Sequence, residues 1–261
     1  MIVERFFGGV GWALALAFWL LWMSRPTPDD YVPKFAKVPY EAFSREAAVA
    51  IALREWHLFG DRMDNASRSE NLERSEGLWQ RVGEYWWVGV GPHFADRAWT
   101  GKHDENGKAF GPEQSDRYAW SAAFISYVMR IAGAGNRFPY SDAHSDFIAA
   151  GRKSTPESND SLKAMRPEGY APRLGDLICY SRDRNKVSSF DEISRSSFRA
   201  HCAIVVDAKP GAISVIGGNV GNAVAMSRVP ASQQGMIARA DGHSIDDRHS
   251  WFVVIAVPYS S

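Results

Sequence analysis

At 261 residues, with 45% hydrophobic and 23% charged side chains, the chain has an ordinary globular composition and enough length to bury a full core. That excludes wholesale disorder. Thirty basic side chains balance thirty acidic ones, so the surplus that a sequence-blind nucleic-acid binder needs to displace phosphate counterions is missing, and no nucleic-acid partner is expected.

Residues 6–23, FFGGVGWALALAFWLLWM, are eighteen apolar or small residues without a charge. A run of that length just spans a bilayer, so one N-terminal transmembrane helix is predicted. A cleaved signal peptide is the alternative, but it would have a shorter apolar core ending in small residues. Here the run ends on bulky Trp19, Leu20, Leu21, Trp22 and Met23. Arg5 precedes the run while Arg25, Lys34 and Lys37 follow it, so counting positive charges assigns no orientation. Residues 24–43 contain four prolines and alternating charges and read as a linker. The folded domain is then residues 44–261.

Four helices are predicted first. Residues 44–59 open on a capping-box-like Ser44 and carry Ala47, Ile51, Ala52, Trp56 and Phe59 at helical spacing. Residues 72–87 place Leu78, Val82, Tyr85 and Trp86 on one face. Residues 91–117 are a long Gly-, Asp- and His-rich loop, and a loop of that length in a compact domain is usually functional. Residues 120–132 form the third helix, with Ser121 in its first turn on the same face as Phe124, Ile125, Val128 and Ala132. Residues 142–150 form a short fourth helix that contains His144.

After Pro172 the period changes. Residues 177–180, 201–206, 213–216, 223–229 and 251–257 are short runs rich in β-branched residues, separated by turn residues. Helices followed by strands predict an α+β domain with a small antiparallel sheet packed on the helices. Residues 182–199 form a polar insertion between two strands, with no assigned role.

Cys179 and Cys202 make neither a disulfide framework nor a zinc motif. Strand alternation points Cys202 away from His201 and onto the face of Ile204 and Val206, so it reads as a packing thiol and not as a nucleophile. Cys179 reads the same way, and a disulfide stays open if the two strands are adjacent in an oxidising compartment. His93, His103, Asp104 and Glu105 fit no ligand spacing, so no metal is expected.

Three segments remain: WSAAF at 120–124, GDLI at 175–178 followed by HCAIVV at 201–206, and VIGGN at 215–219. Together they resemble the core of the CHAP and NlpC-type amidases, which share the papain-like fold. The resemblance implies a nucleophile at Ser121, a general base at His201 and an imidazole-orienting residue at Asn219. It also implies a cleft to which Trp120, His144, Asp176 and Gly218 contribute. Each has a plainer role as well: Trp120 in the core, His144 on a solvent-facing helix or as an alternative base, and Asp176 capping the turn before its strand. The glycines of GGN permit close backbone approach. Over residues 44–261 the wording WSAAFISYVM, FPYSDAHSDFI, GDLICYSR, HCAIVV and IGGNV is similar to the bacterial family DUF2272.

The papain-like families place cysteine where this chain has Ser121. A serine hydroxyl is far more basic than a thiol and needs a general base and an oxyanion hole. Gly217 also stands where CHAP-like sites often carry a supporting carboxylate. The expected function is a membrane-anchored cell-envelope amidase or peptidase, facing the periplasm or cell exterior and acting on the peptide part of peptidoglycan without a cofactor. The alternative is an inactive module of the same fold that holds a cell-wall peptide or a protein partner. A secreted, toxin-like amidase is a third reading, in which the N-terminal segment would serve delivery.

Overall fold

The computed structural model describes residues 42–65, 71–90, 118–155, 161–182, 187–193 and 198–260. The chain divides into a unit spanning Met1–Tyr40, outside the described residues, and a second spanning Glu41–Ser261. The predicted transmembrane segment, most of the linker and the 91–117 loop with its two histidines therefore lie outside the described residues. Among the described residues no helix is long and apolar enough to cross a membrane.

Helix α1, Arg45–Leu58, starts where the Ser44 side chain accepts a hydrogen bond from the Ala47 N–H, as its sequence predicts. Its Glu55 is fully buried and receives hydrogen bonds from Arg54, Arg81 and the Tyr85 hydroxyl. The predicted 72–87 helix is broken in the structure. A single turn at Leu72–Arg74 precedes α2, Leu78–Glu84, which widens into a π-helical stretch, Tyr85–Val90. Glu55 is thus the polar joint between α1 and α2, and a buried carboxylate without those partners would be strongly destabilising.

Helix α3, Ser121–Ile131, is the centre of the fold, and every residue of Ser121–Met129 is buried. One side meets the sheet and the other meets α1 and the π-helical stretch, which is why the helix is apolar nearly all round. Helix α4, His144–Lys153, packs Phe147, Ile148 and Gly151 inward.

Six antiparallel strands form one sheet in the order β1-β6-β2-β3-β4-β5. They are β1, Lys163–Met165; β2, Leu177–Ser181; β3, Ala200–Lys209; β4, Ala212–Gly217; β5, Ala225–Pro230; and β6, Trp251–Ala256. The helix-facing side carries Leu177, Cys179, Cys202, Ile204 and Ile216 in the main core. The opposite side carries Ile178, Ala203, Val205, Val215 and Val254 in a second apolar cluster. Burial on both faces explains why β2, β3 and β6 lack the alternation of a half-exposed strand. The α+β expectation holds: four helices and a six-stranded antiparallel sheet.

Cys179 and Cys202 lie directly opposite each other on β2 and β3, and their sulfurs are bonded. This corrects the packing-thiol reading. Both sulfurs do face the core, as alternation requires, but the register brings the two Cα atoms to 4.1 Å, within bonding reach.

Candidate functional site

Ser121 opens α3, and Trp120 at the N-cap supplies no side-chain cap. The helical ladder begins with Phe124 N–H donating to Trp120 O, so the N–H groups of Ser121, Ala122 and Ala123 precede it and concentrate positive potential beside the Ser121 hydroxyl. The hydroxyl is 3% exposed and lies 2.8 Å from Nε2 of His144.

A second serine on α3 delivers that histidine. The Ser126 hydroxyl donates to Ser141 O at 2.8 Å and accepts from Ser141 N–H at 3.0 Å. The Ser141 hydroxyl in turn accepts from the Ala143 N–H, next to the first residue of α4. The loop ahead of α4 is therefore pinned to α3, and His144 is set against Ser121. His144 is 5% exposed, and burial, the His201 ring and the Arg182 charge hold its pKa well below the ordinary histidine value. A neutral imidazole hydrogen-bonded to a serine hydroxyl is the proton acceptor that nucleophilic catalysis needs. Its Nδ1 is buried and has no partner among the described residues, so the third member of a triad is not supplied there.

His201 lies next in space, its ring centre 5.2 Å from that of His144 and 5.3 Å from that of Tyr180. It too is buried, at 4% exposed. Burial, with Arg182 and His249 nearby, pushes its pKa down to about 3. A Cβ on Gly217 would lie 2.7 Å from its Nε2, so glycine at that position leaves room for the imidazole. Gly218 similarly admits α3: a Cβ there would lie 2.5 Å from the Cβ of Phe124.

His201 and Asn219 line a cavity of about 410 Å³. Asn219 occupies a left-handed turn, with φ of 56°, just beyond β4. The structure thus brings Ser121 and His144 together by a hydrogen bond, places His201 against His144, and puts Asn219 with His201 on the cavity wall. The hydrogen bond of Ser121 goes to His144, whereas the sequence reading paired it with His201. Alternation on β3 accounts for this, because Cys202 joins the helix-side core while Ala203, on the face of His201, lines the cavity.

Trp120 and Asp176 are placed by packing and do not line that cavity. Trp120 stacks on Phe59, with ring centres 5.9 Å apart, and donates through Nε1 to Glu73. Asp176 is fully buried and accepts from Arg173 N–H, Tyr170 Oη and Arg45, tying the turn before β2 to α1. Among the described residues no group of three His, Cys, Asp or Glu side chains could hold a metal ion. Of the other cavity residues, Tyr180 and Arg182 fall within the GDLICYSR stretch, while Arg248 and His249 carry no motif in the sequence. They converge from separate segments, and only the strand register unites them.

No curated protein and no solved structure matches the chain. A family model does match, over residues 73–257, a span that holds Ser121, His144, His201 and Asn219 together. The chain belongs to the bacterial family described as uncharacterized protein conserved in bacteria (DUF2272).

Proposed function

We propose that this chain is a cell-envelope amidase or peptidase of papain-like type, acting on the peptide part of peptidoglycan with Ser121 as nucleophile. The observation that carries the reading is the 2.8 Å hydrogen bond between Ser121 Oγ and a buried, neutral His144 at the start of α3. In the reaction, Ser121 Oγ attacks the amide carbon while its proton passes to His144 Nε2. The oxyanion forms beside the N-terminus of α3. Collapse breaks the C–N bond, and His144 returns the proton to the leaving amine. Water then hydrolyses the acyl-enzyme by the same route. His201 and Asn219 hold substrate in the adjoining cavity.

The substrate class is supported by the resemblance of the 120–124, 175–178, 201–206 and 215–219 motifs to CHAP and NlpC-type amidases. The Cys179–Cys202 disulfide supports a domain facing the periplasm or cell exterior, since disulfides persist in oxidising compartments. An N-terminal anchor would keep such an enzyme at the membrane.

A second reading, a non-catalytic module that holds a cell-wall peptide or a protein partner in the cavity, is favoured by the burial of Ser121 and by the His144 Nδ1, which has no partner among the described residues. Release of soluble fragments from purified peptidoglycan separates the two. The full chain is expected to release fragments, and Ser121→Ala and His144→Ala to lower the rate about a thousandfold or more. Absence of turnover by the parent chain, with activity gained by Ser121→Cys, would overturn the enzyme reading in favour of the binding module.

A further inference from the structure

The cavity beside His201 carries unbalanced charge. Three guanidiniums, of Arg62, Arg182 and Arg248, line it against one carboxylate, Asp64. Arg248 is committed to Asp64 at 2.9 Å and to Asp246 at 3.2 Å. Arg182 is different. Its backbone N–H donates to Arg199 O at 2.8 Å, which fixes it just past the end of β2. Its guanidinium has no hydrogen bond or ion pair among the described residues. That charge is nevertheless close enough to disfavour protonation of both His144 and His201, and it eases ionisation of the Tyr180 phenol.

The wall beside it is flat and aromatic. Tyr180 stacks on His249 with ring centres 4.1 Å apart and meets the edge of Trp251 at 4.9 Å. The imidazole of His201 stays neutral and adds no second cation. A guanidinium uncommitted among the described residues, lining a cavity of about 410 Å³ next to an aromatic wall, matches a small ligand with a negative charge and a body that can lie on a ring.

We infer that this cavity is a carboxylate-recognition site, in which Arg182 pairs with the free carboxylate of a short peptide whose backbone lies along Tyr180. The inference rests on the cavity being the substrate-holding part of the proposed amidase site, but it concerns binding alone. It specifies that the peptide is recognised by a free acid, not by its side chains.

The test is calorimetric titration of the full-length Ser121→Ala chain, which cannot turn substrate over. The probes are N-acetylated alanine tripeptides of all-L and mixed D/L chirality, each as free acid and as C-terminal amide, with inorganic phosphate as a further titrant. The free acid is expected to bind at least about tenfold tighter than the amide, and Arg182→Gln to remove that preference while leaving amide binding unchanged. The imidazole proton signals of His201 should report a rise in its pKa, both on acid binding and in Arg182→Gln, because each removes the same positive charge. Equal affinity for acid and amide, no effect of Arg182→Gln, tighter binding of phosphate than of the acid, or no binding of any tripeptide would each overturn the proposal. Failure of the amidase reading would show instead as absent turnover by the parent chain, with this titration unaffected.

Discussion

His144 and His201 are two imidazoles buried against each other at a ring separation of 5.2 Å, with Arg182 acting on both and His249 also on His201. Burial and these neighbours depress both pKa values, so the folded protein holds both rings neutral while the unfolded chain protonates them near 6.5. Below that pH the unfolded state binds more protons, and stability falls as pH falls. For His201 the loss continues from about 6.5 down to about 3. His201 contributes up to about 1.4 kcal/mol per pH unit in that window, and His144 acts in the same direction. Glu55 and Asp246 have lowered pKa values and contribute only below the ordinary carboxylate range, whereas burial raises the Asp176 carboxyl and so opposes the loss. Among the described residues the fall between about 6.5 and 4.5 is the contribution of the histidines, partly offset by Asp176. Urea denaturation at several pH values should show the midpoint dropping across it, and His201→Gln should flatten the drop. An unchanged midpoint between pH 7 and 5 would mean that the rings are not buried as neutral groups.

Helical spacing puts Ser121 with Phe124, Ile125 and Val128 on a buried face, and only the family resemblance singles it out as a candidate nucleophile. The sequence leaves the partner of Ser121 open. His144 meets Ser121 because α4 is docked by the Ser126–Ser141 link and by Phe147 and Ile148 in the core, tertiary contacts that no local pattern encodes.

At the scale of elements, the strands with β-branched runs are visible in the sequence and β1 is not. Its three residues, Lys163–Met165, contain no β-branched side chain and pair only with β6 at the sheet edge. The 72–87 pattern reads as one helix because its apolar spacing is continuous, yet Gly77 at φ of 85° interrupts the backbone ahead of α2. The contact between the turn after β4 and the start of α3 sets how Asn219 and His201 lie relative to Ser121. It depends on Gly218, where an added Cβ would come within 2.5 Å of Phe124 and 2.9 Å of the Trp120 ring. Both neighbours are locked in the core, so neither can move aside cheaply. Gly218→Ala should therefore cost about 1–3 kcal/mol in denaturant unfolding. A loss well under 1 kcal/mol would show that the turn and α3 can separate, and that the site geometry is looser than the packing implies.

At the scale of the whole molecule, the disulfide closes a loop across the two central strands. Cys179 and Cys202 are 23 residues apart, and the chain between them includes the polar 182–199 segment, part of which lies outside the described residues. Cross-linking a loop of that length restricts the unfolded chain more than the folded one, an effect worth roughly 3 kcal/mol. The sheet does not depend on it for register, because β2 and β3 are also fixed by the Leu177–Ile204 and Ile178–Ala203 pairs and by apolar layers on both faces. Reduction should therefore lower stability without dissolving the fold. Cys179→Ala/Cys202→Ala should unfold at a lower denaturant concentration while keeping the far-ultraviolet spectrum of the parent, and the reduced parent should behave alike. Thiol titration of the denatured, unreduced protein should find no free sulfhydryl. Two free thiols in protein isolated from an oxidising compartment would contradict the bond and remove the support it gives to a domain outside the cytoplasm. A bonded pair whose reduction also slows fragment release would tie the oxidising compartment to the site itself, because Tyr180 and His201 directly adjoin the two cysteines on the same strands.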